Sequence, residues 1–237
     1  MAQGRLIIDI ETVGERFDDM DELTQSELTK HIEAAPDSPE YAAAIARVDD
    51  ELVFSPLTGF IVAIGVMDAD KEQSVVYYQD PSGSHKETVE GSVTYKPMDE
   101  AQMLESFWGG AKNYTEFITW NGRSFDIPYL IVRSAIHQVH ISKDLMSNRY
   151  VGSQTFDAKH IDLFDQVSFY GAVRRPGGLH MWTRALGIET PKSGEVAASD
   201  VGKAFAEQKY LDIAQYNAKD LVATKELYDV WRTYFRP

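Results

Sequence analysis

The 237-residue sequence contains no cysteine. Disulfides and thiolate metal sites are therefore excluded, and an intracellular setting is expected. No apolar run approaches the roughly 20 residues of a membrane span. A strand-like apolar segment begins within about five residues of the first Met, which leaves no room for a signal peptide. A cytoplasmic protein with no membrane partner is the expectation. Internal repeats and low-complexity tracts are also missing. Cations are scarce, with 23 Lys+Arg against 37 Asp+Glu and a formal net charge of −14. That balance argues at first against a polyanionic partner, but the deficit is local. Residues 1–52 hold 4 Lys+Arg and 14 Asp+Glu, whereas residues 123–184 hold 8 and 5, with four of the six histidines. A nucleic-acid groove is allowed and not demanded.

What is present suits one large domain over 1–237, since 43% of residues are hydrophobic. Arg5–Thr12 and 60–67 read as buried strands, and Ser74–Gln79 as a third, joined by short polar links as an antiparallel meander. Between the first two lies an acidic, helix-prone insertion at about 15–52. It carries two helices, the second opened by Ser38 as N-cap and Pro39 at the first helical position. Its charge reads as a solvated face, with a protein-partner surface as the alternative. Residues 80–97 read as a loop with a short strand at 93–95. Asp99 opens a helix that Gly109-Gly110 is expected to end. A fourth strand covers 117–120 and an apolar helix runs from Ile127-Pro128 to His137. Ile161–Phe164 is a fifth strand or a helix start. Segments 179–186, 201–206 and 211–234 are helical. A meander followed by alternating helix and strand predicts an α/β domain with a mixed sheet.

Three segments can carry chemistry. Asp9 and Glu11 interrupt the first apolar run, and residues two apart on a strand share a face. They form either a strand end in water or a carboxylate pair that needs a cation. Asp126, in Asn121-Gly-Arg-Ser-Phe-Asp126-Ile-Pro128, is either a helix N-cap or a third carboxylate at the carboxyl end of the fourth strand, where ligand sites gather. Tyr216 and Asp220 lie four apart on the last helix and so share a face. They are either a surface acid beside a partly buried Tyr, or a pair directed at the core side.

Together these segments resemble the three motifs of DEDD-type 3′–5′ exonucleases: Ile7-Ile-Asp-Ile-Glu-Thr12, Asn121-Gly-x-x-Phe-Asp126-x-Pro128 and Tyr216-x-x-x-Asp220. Tyr in the third motif, where other members have His, is similar to the DEDDy branch. That branch includes the proofreading domain of family-B DNA polymerases and related stand-alone exonucleases. Gly59–Gly65, His160–Phe164 and Leu186–Lys192 add likeness between the motifs.

The resemblance implies a ribonuclease-H-like fold: α/β, with a mixed central sheet of three antiparallel strands and then alternating helix and strand, flanked by helices. It implies a two-metal exonuclease using Mg²⁺ or Mn²⁺. Such an enzyme acts on single-stranded 3′ ends, DNA favoured, and releases nucleoside monophosphates. Asp9, Glu11 and Asp220 would hold the ion that activates water. Asp9 would bridge to a second ion, with Asp126 contributing directly or through water, and Tyr216 would orient the water. Thr12 and Asn121 would line the groove, or shape a turn. Phe125 would be core or a wedge, and Lys192 would meet phosphate. Arg174-Arg175 is a phosphate contact or a solvated loop. Asp162 reads as a helix cap rather than an outer-sphere acid, and His160 and His180 as satisfied partners rather than ligands. The alternatives are an RNA 3′-end exoribonuclease on the same site and a non-catalytic nucleic-acid-binding module. No polymerase domain fits in this length, so any proofreading would act in trans.

Overall fold

Strand β1 (Arg5–Gly14) runs through the interior of a seven-stranded sheet. The computed structural model describes residues 4–188 and 200–236. On one side of β1 lie β2 (Gly59–Asp68) and β3 (Gln73–Tyr78), paired antiparallel as a meander. On the other side β6 (Glu116–Thr119) and β7 (Lys159–Asp162) add in parallel. Beyond β3 come β5 (Val93–Pro97), parallel to it, and β4 (Thr88–Glu90), antiparallel to β5. The mixed sheet is that of the ribonuclease-H-like fold expected from sequence. No helix among the described residues is long and apolar enough to cross a membrane.

The alternation of β1 side chains divides the core. Leu6, Ile8 and Ile10 pack with Met103, Leu104 and Phe107 of α3 (Glu100–Ala111) and with Ile127 and Leu130 of α4 (Asp126–Ile136), counting as α1 and α2 the two insertion helices Glu22–Thr29 and Pro39–Glu51. Ile7 points the other way, toward Ile213, Ala214 and Leu221 of the 25-residue last helix, Tyr210–Tyr234. Three short helices precede it: α5 (Leu163–Val167), α6 (Leu179–Leu186) and α7 (Val201–Ala206), so the last helix is α8. Odd-numbered Asp9 and Glu11 therefore share Ile7's face and look toward α8.

Helix starts follow their caps. Asp21 accepts from Thr24 N, Ser38 accepts from Tyr41 N before Pro39, and Asp99 forms a capping box with Gln102. Three expectations are corrected or resolved. The 80–97 stretch carries the short strand expected at 93–95, extended to Pro97, and also an unexpected strand β4, which pairs with β5 across a two-residue connection opened by Gly91 at φ 59°. Gly109-Gly110 does not end α3; the helix continues to Ala111, whose burial beside Trp108 outweighs the low helix propensity of glycine. Segment 159–167 is a strand and then a helix, so both readings of 161–164 are realised in succession.

The β1–β2 register shifts between Glu11 and Thr12. At this irregularity the Ile61 N–H donates to Glu100 Oε1 at 2.9 Å. Glu100 is buried and also accepts from Arg133 of α4, with Nε at 2.8 Å and a terminal nitrogen at 2.7 Å. His137 Nε2 adds a contact at 2.8 Å. One carboxylate thus ties β2, α3 and α4 together just past the carboxyl pair. The insertion is fastened nearby. A 3₁₀ turn, Leu52–Phe54, follows α2, and Val53 O accepts from Thr12 Oγ1 and from the Tyr129 hydroxyl, both at 3.2 Å. Gly14 permits this approach, since a Cβ there would lie 2.9 Å from Val53 N.

Candidate active site

Asp9, Glu11 and Asp220 each offer a carboxylate oxygen, and the three oxygens lie within 4.8 Å of one another. β1 supplies the first two on one face, and α8 brings the third across the sheet. Tyr216, one turn before Asp220, is buried and feels the charge of that acid. The predicted face sharing of Tyr216 and Asp220 is thus present in the fold.

These carboxylates stand close in a low-dielectric setting, and their acidities show it. Burial first, then Asp220, raises Asp9 and Glu11 well above ordinary carboxylate values. Asp126 rises to about 7 through burial, with Asp162 and Asp220 adding repulsion. Tyr216 is raised by burial and by Asp220 and Glu11, so it stays a neutral phenol at neutral pH. A donor set made of carboxylate oxygens fits a hard divalent ion such as Mg²⁺ or Mn²⁺.

Asp126 stands outside the three-oxygen set. It is the first residue of α4 and not its N-cap, and its Oδ1 accepts from Ile10 N at 3.2 Å. It sits behind β1, close enough to feel Asp220. Asp162 does what a cap does, accepting from Phe164 N at 3.0 Å. Its oxygens also take the N–H groups of Asn121 and Arg123, at 2.9 and 3.0 Å, and so fix the turn that leads to Asp126.

A cleft of 1210 Å³ opens over the acids. Thr12 and Phe125 line it, and Phe125 also packs into the α3–α4 core, joining both readings of that residue. Asn121 does not line it. With φ 57° it shapes the turn, in a left-handed conformation that Asn tolerates. Lys192 lies outside the described residues. Arg174 and Arg175 are exposed in the loop between α5 and α6. His160 is a satisfied partner: its Nδ1 donates to Leu145 O at 3.0 Å and its Nε2 accepts from Thr119 at 2.8 Å. Burial lowers its pKa to about 4, which keeps it neutral.

Three contributors were not foreseen. The insertion walls the cleft with Glu15, Asp19 and Asp50, and with Phe54 at the rim. Phe54 is 68% exposed, and its ring stands edge-on to Phe125 at 6.5 Å. Asn217, wholly buried, donates to Asp9 Oδ2 at 2.7 Å. Gly65, paired with Asp9, leaves the space that Asn217 fills. An apolar glycine-containing strand gave no sign of this last role.

The raised pKa values predict how stability depends on pH. A carboxyl group whose folded pKa exceeds its unfolded value binds more protons in the native state between those two values. Its contribution is full below the unfolded pKa and is lost as pH rises through the folded one. For Asp126, moving from 3.8 to about 7, the loss is on the order of 4 kcal/mol across that window. Metal-free protein should therefore melt at a lower temperature at pH 8 than at pH 5. Saturating Mn²⁺ should restore more at pH 8, by about 3 kcal/mol at a hundredfold excess over Kd. Thermal melts in EDTA and in Mn²⁺ check this, and a melting temperature that climbs from pH 5 to 8 in EDTA would refute it.

Comparison with known proteins gives the following. A sequence family described as a predicted 3′-5′ exonuclease related to the exonuclease domain of PolB matches residues 61–234. β1, with Asp9 and Glu11, precedes the matched span. No curated protein matches the chain. Among solved structures, the family B DNA polymerase from the hyperthermophilic archaeon Pyrobaculum calidifontis superposes with a TM-score of 0.59 at 15% identity, over 98% of this chain. This chain spans 25% of that polymerase. At that identity the likeness shows the fold, β1 included.

Proposed function

Because the chain belongs to the family of predicted 3′-5′ exonucleases related to the exonuclease domain of PolB, we propose that it is a metal-dependent exonuclease. It removes nucleoside monophosphates from single-stranded 3′ ends, DNA in preference to RNA. The observation that carries this reading is the convergence of Asp9, Glu11 and Asp220 within 4.8 Å in a cleft that Tyr216 also lines. Two Mg²⁺ or Mn²⁺ ions, held by Asp9, Glu11 and Asp220 with Asp126 alongside, would activate water and stabilise the leaving 3′-oxygen.

The chain's own groups do the rest. Burial and the neighbouring Asp220 and Glu11 keep the proton on the Tyr216 phenol, so it orients a water by hydrogen bonding and does not act as a base. The Thr12 hydroxyl is spent on Val53 O, so this residue shapes the cleft wall beside the acids. Arg16 and Lys203 are the cations on the cleft walls among the described residues. With so few against the insertion's acids, binding is weak and falls with salt. Phe54 and Phe125 present ring faces and edges where a terminal base would lie.

The deciding experiment uses 5′-labelled DNA and RNA oligomers with Mg²⁺, Mn²⁺ or EDTA. A ladder shortening from the 3′ end only with metal supports the enzyme, and the faster polymer names its substrate. Binding without cleavage under every metal would replace the enzyme with a binding module. A second measurement tests the aromatic rim. Phe54→Ala should weaken single-stranded DNA binding in EDTA about tenfold, within the roughly 1–3 kcal/mol that one stacked base contributes. An unchanged Kd by fluorescence anisotropy would remove Phe54 from the substrate path.

A further inference from the structure

Asn217 follows Tyr216 in α8 and has no exposed surface. A primary amide in that position needs partners for its two hydrogens. Its Nδ2 donates to Asp9 Oδ2 at 2.7 Å, on the strand face that Asp9 shares with Glu11. One amide therefore anchors the first of the two acids of β1. Its own oxygen, Oδ1, is buried with no hydrogen-bond partner. It rests instead on Gly65, the residue that pairs with Asp9 across β1 and β2. A Cβ on Gly65 would lie 1.8 Å from that oxygen and 2.9 Å from the amide carbon. The strand is bare at that point, and the amide occupies the space.

The arrangement has a consequence for the acids. Two carboxylates on one strand face repel, and without a fixed donor either is free to rotate away from the other. A donor held against Asp9 fixes its rotamer. Engaging Asp9 Oδ2 also decides which oxygen of Asp9 is presented to the cleft.

We propose that Asn217, seated on Gly65, is the positioning residue that sets Asp9 for divalent-metal binding beside Glu11. The proposal rests on the metal-binding reading of the site and is independent of which polymer is cut. Groups of this kind, behind a metal's ligands, change affinity about 10- to 100-fold when removed.

The test is Mn²⁺ affinity by calorimetry, alongside melting of the metal-free protein, for the full chain at pH 7.5. Asn217→Ala and the nearly isosteric Asn217→Leu should each lose about 10- to 100-fold in Mn²⁺ affinity while still unfolding cooperatively. Gly65→Ala, which removes neither donor nor ligand, should lose a similar factor by displacing the amide. The double variant Gly65→Ala/Asn217→Ala should melt higher than Gly65→Ala alone, because the new methyl fills vacated space. Its Mn²⁺ affinity should stay low. Variants that melt lower but bind Mn²⁺ like the parent would overturn the proposal and leave Asn217 a packing residue. A parent protein that binds no Mn²⁺ would overturn it too. A parent that binds Mn²⁺ but cuts no oligomer would refute the nuclease reading, and the affinity losses would still support the positioning role.

Discussion

Asp220→Asn leaves a protein that folds, melts higher than the parent in EDTA at pH 8, and no longer trims 3′ ends. The gain in stability has an electrostatic origin. Asp220 raises the pKa values of Asp9, Glu11 and Asp126, so in the metal-free state it is a source of repulsion that the fold must absorb. An amide has a similar shape and carries no charge. The loss of activity follows from the same geometry. Asp220 is the one member of the three-oxygen set that α8 contributes. Removing it leaves Asp9 and Glu11 facing an incomplete set. The expected fall in rate is roughly a thousandfold or more, comparable to losing a preorganised charge-stabilising group. Asp9→Ala should match it. Purified variants compared on the same labelled oligomer give the answer, and either one trimming at the parental rate would defeat the metal-site assignment.

The largest effect on stability alone is expected at Glu100, away from the cleft. Glu100→Ala should destabilise by about 3–5 kcal/mol, the usual result of removing one partner of a buried ion pair. Arg133 would lose a two-point contact at 2.7 and 2.8 Å, and the Ile61 N–H would lose its acceptor. Much of the cost is the charge left behind in the core. Glu100→Leu combined with Arg133→Met should therefore recover much of the loss. Urea unfolding measures both, and a single variant within about 1 kcal/mol of the parent would contradict the buried-pair account. The damage should also reach the site. Arg133 holds α4, α4 begins at Asp126, and the same arginine reaches toward Pro56 O beneath the 3₁₀ turn that carries Phe54.

The sequence carried the parts of the fold that depend on local pattern. Alternation placed Asp9 and Glu11 on one strand face, the i, i+4 spacing placed Tyr216 with Asp220, and Ser38-Pro39 and Asp99 marked helix starts. It did not carry what depends on contacts between distant segments. Asp126 was legible as a first-turn acid, but its pairing with Ile10 N, and its place outside the three-oxygen set, are set by how α4 meets β1. Asn121 read equally well as groove or turn, and only its backbone conformation separates the two. Phe54, just past the 15–52 insertion, carried no local signal; Thr12 and Tyr129 hold its neighbour Val53 at the mouth of the cleft. Gly65 was one small residue in an apolar strand, and its importance exists only when α8 lies across it. The Gly109-Gly110 reading failed for the opposite reason, since tertiary burial of Ala111 and Trp108 overrode a sound local signal.

The bond between Asn217 and Asp9 joins residues 208 positions apart. During translation β1 leaves the ribosome early, and the β1–β2–β3 meander can pair well before α8 has been made. At that stage the chain holds Asp9 and Glu11 but lacks Asp220, Tyr216 and Asn217. A nascent chain, or one clipped ahead of α8, therefore has no complete ligand set. If the chain is the nuclease proposed above, it would be made amid messenger and ribosomal RNA without endangering them, and would become competent only when the last helix closes over the first strand.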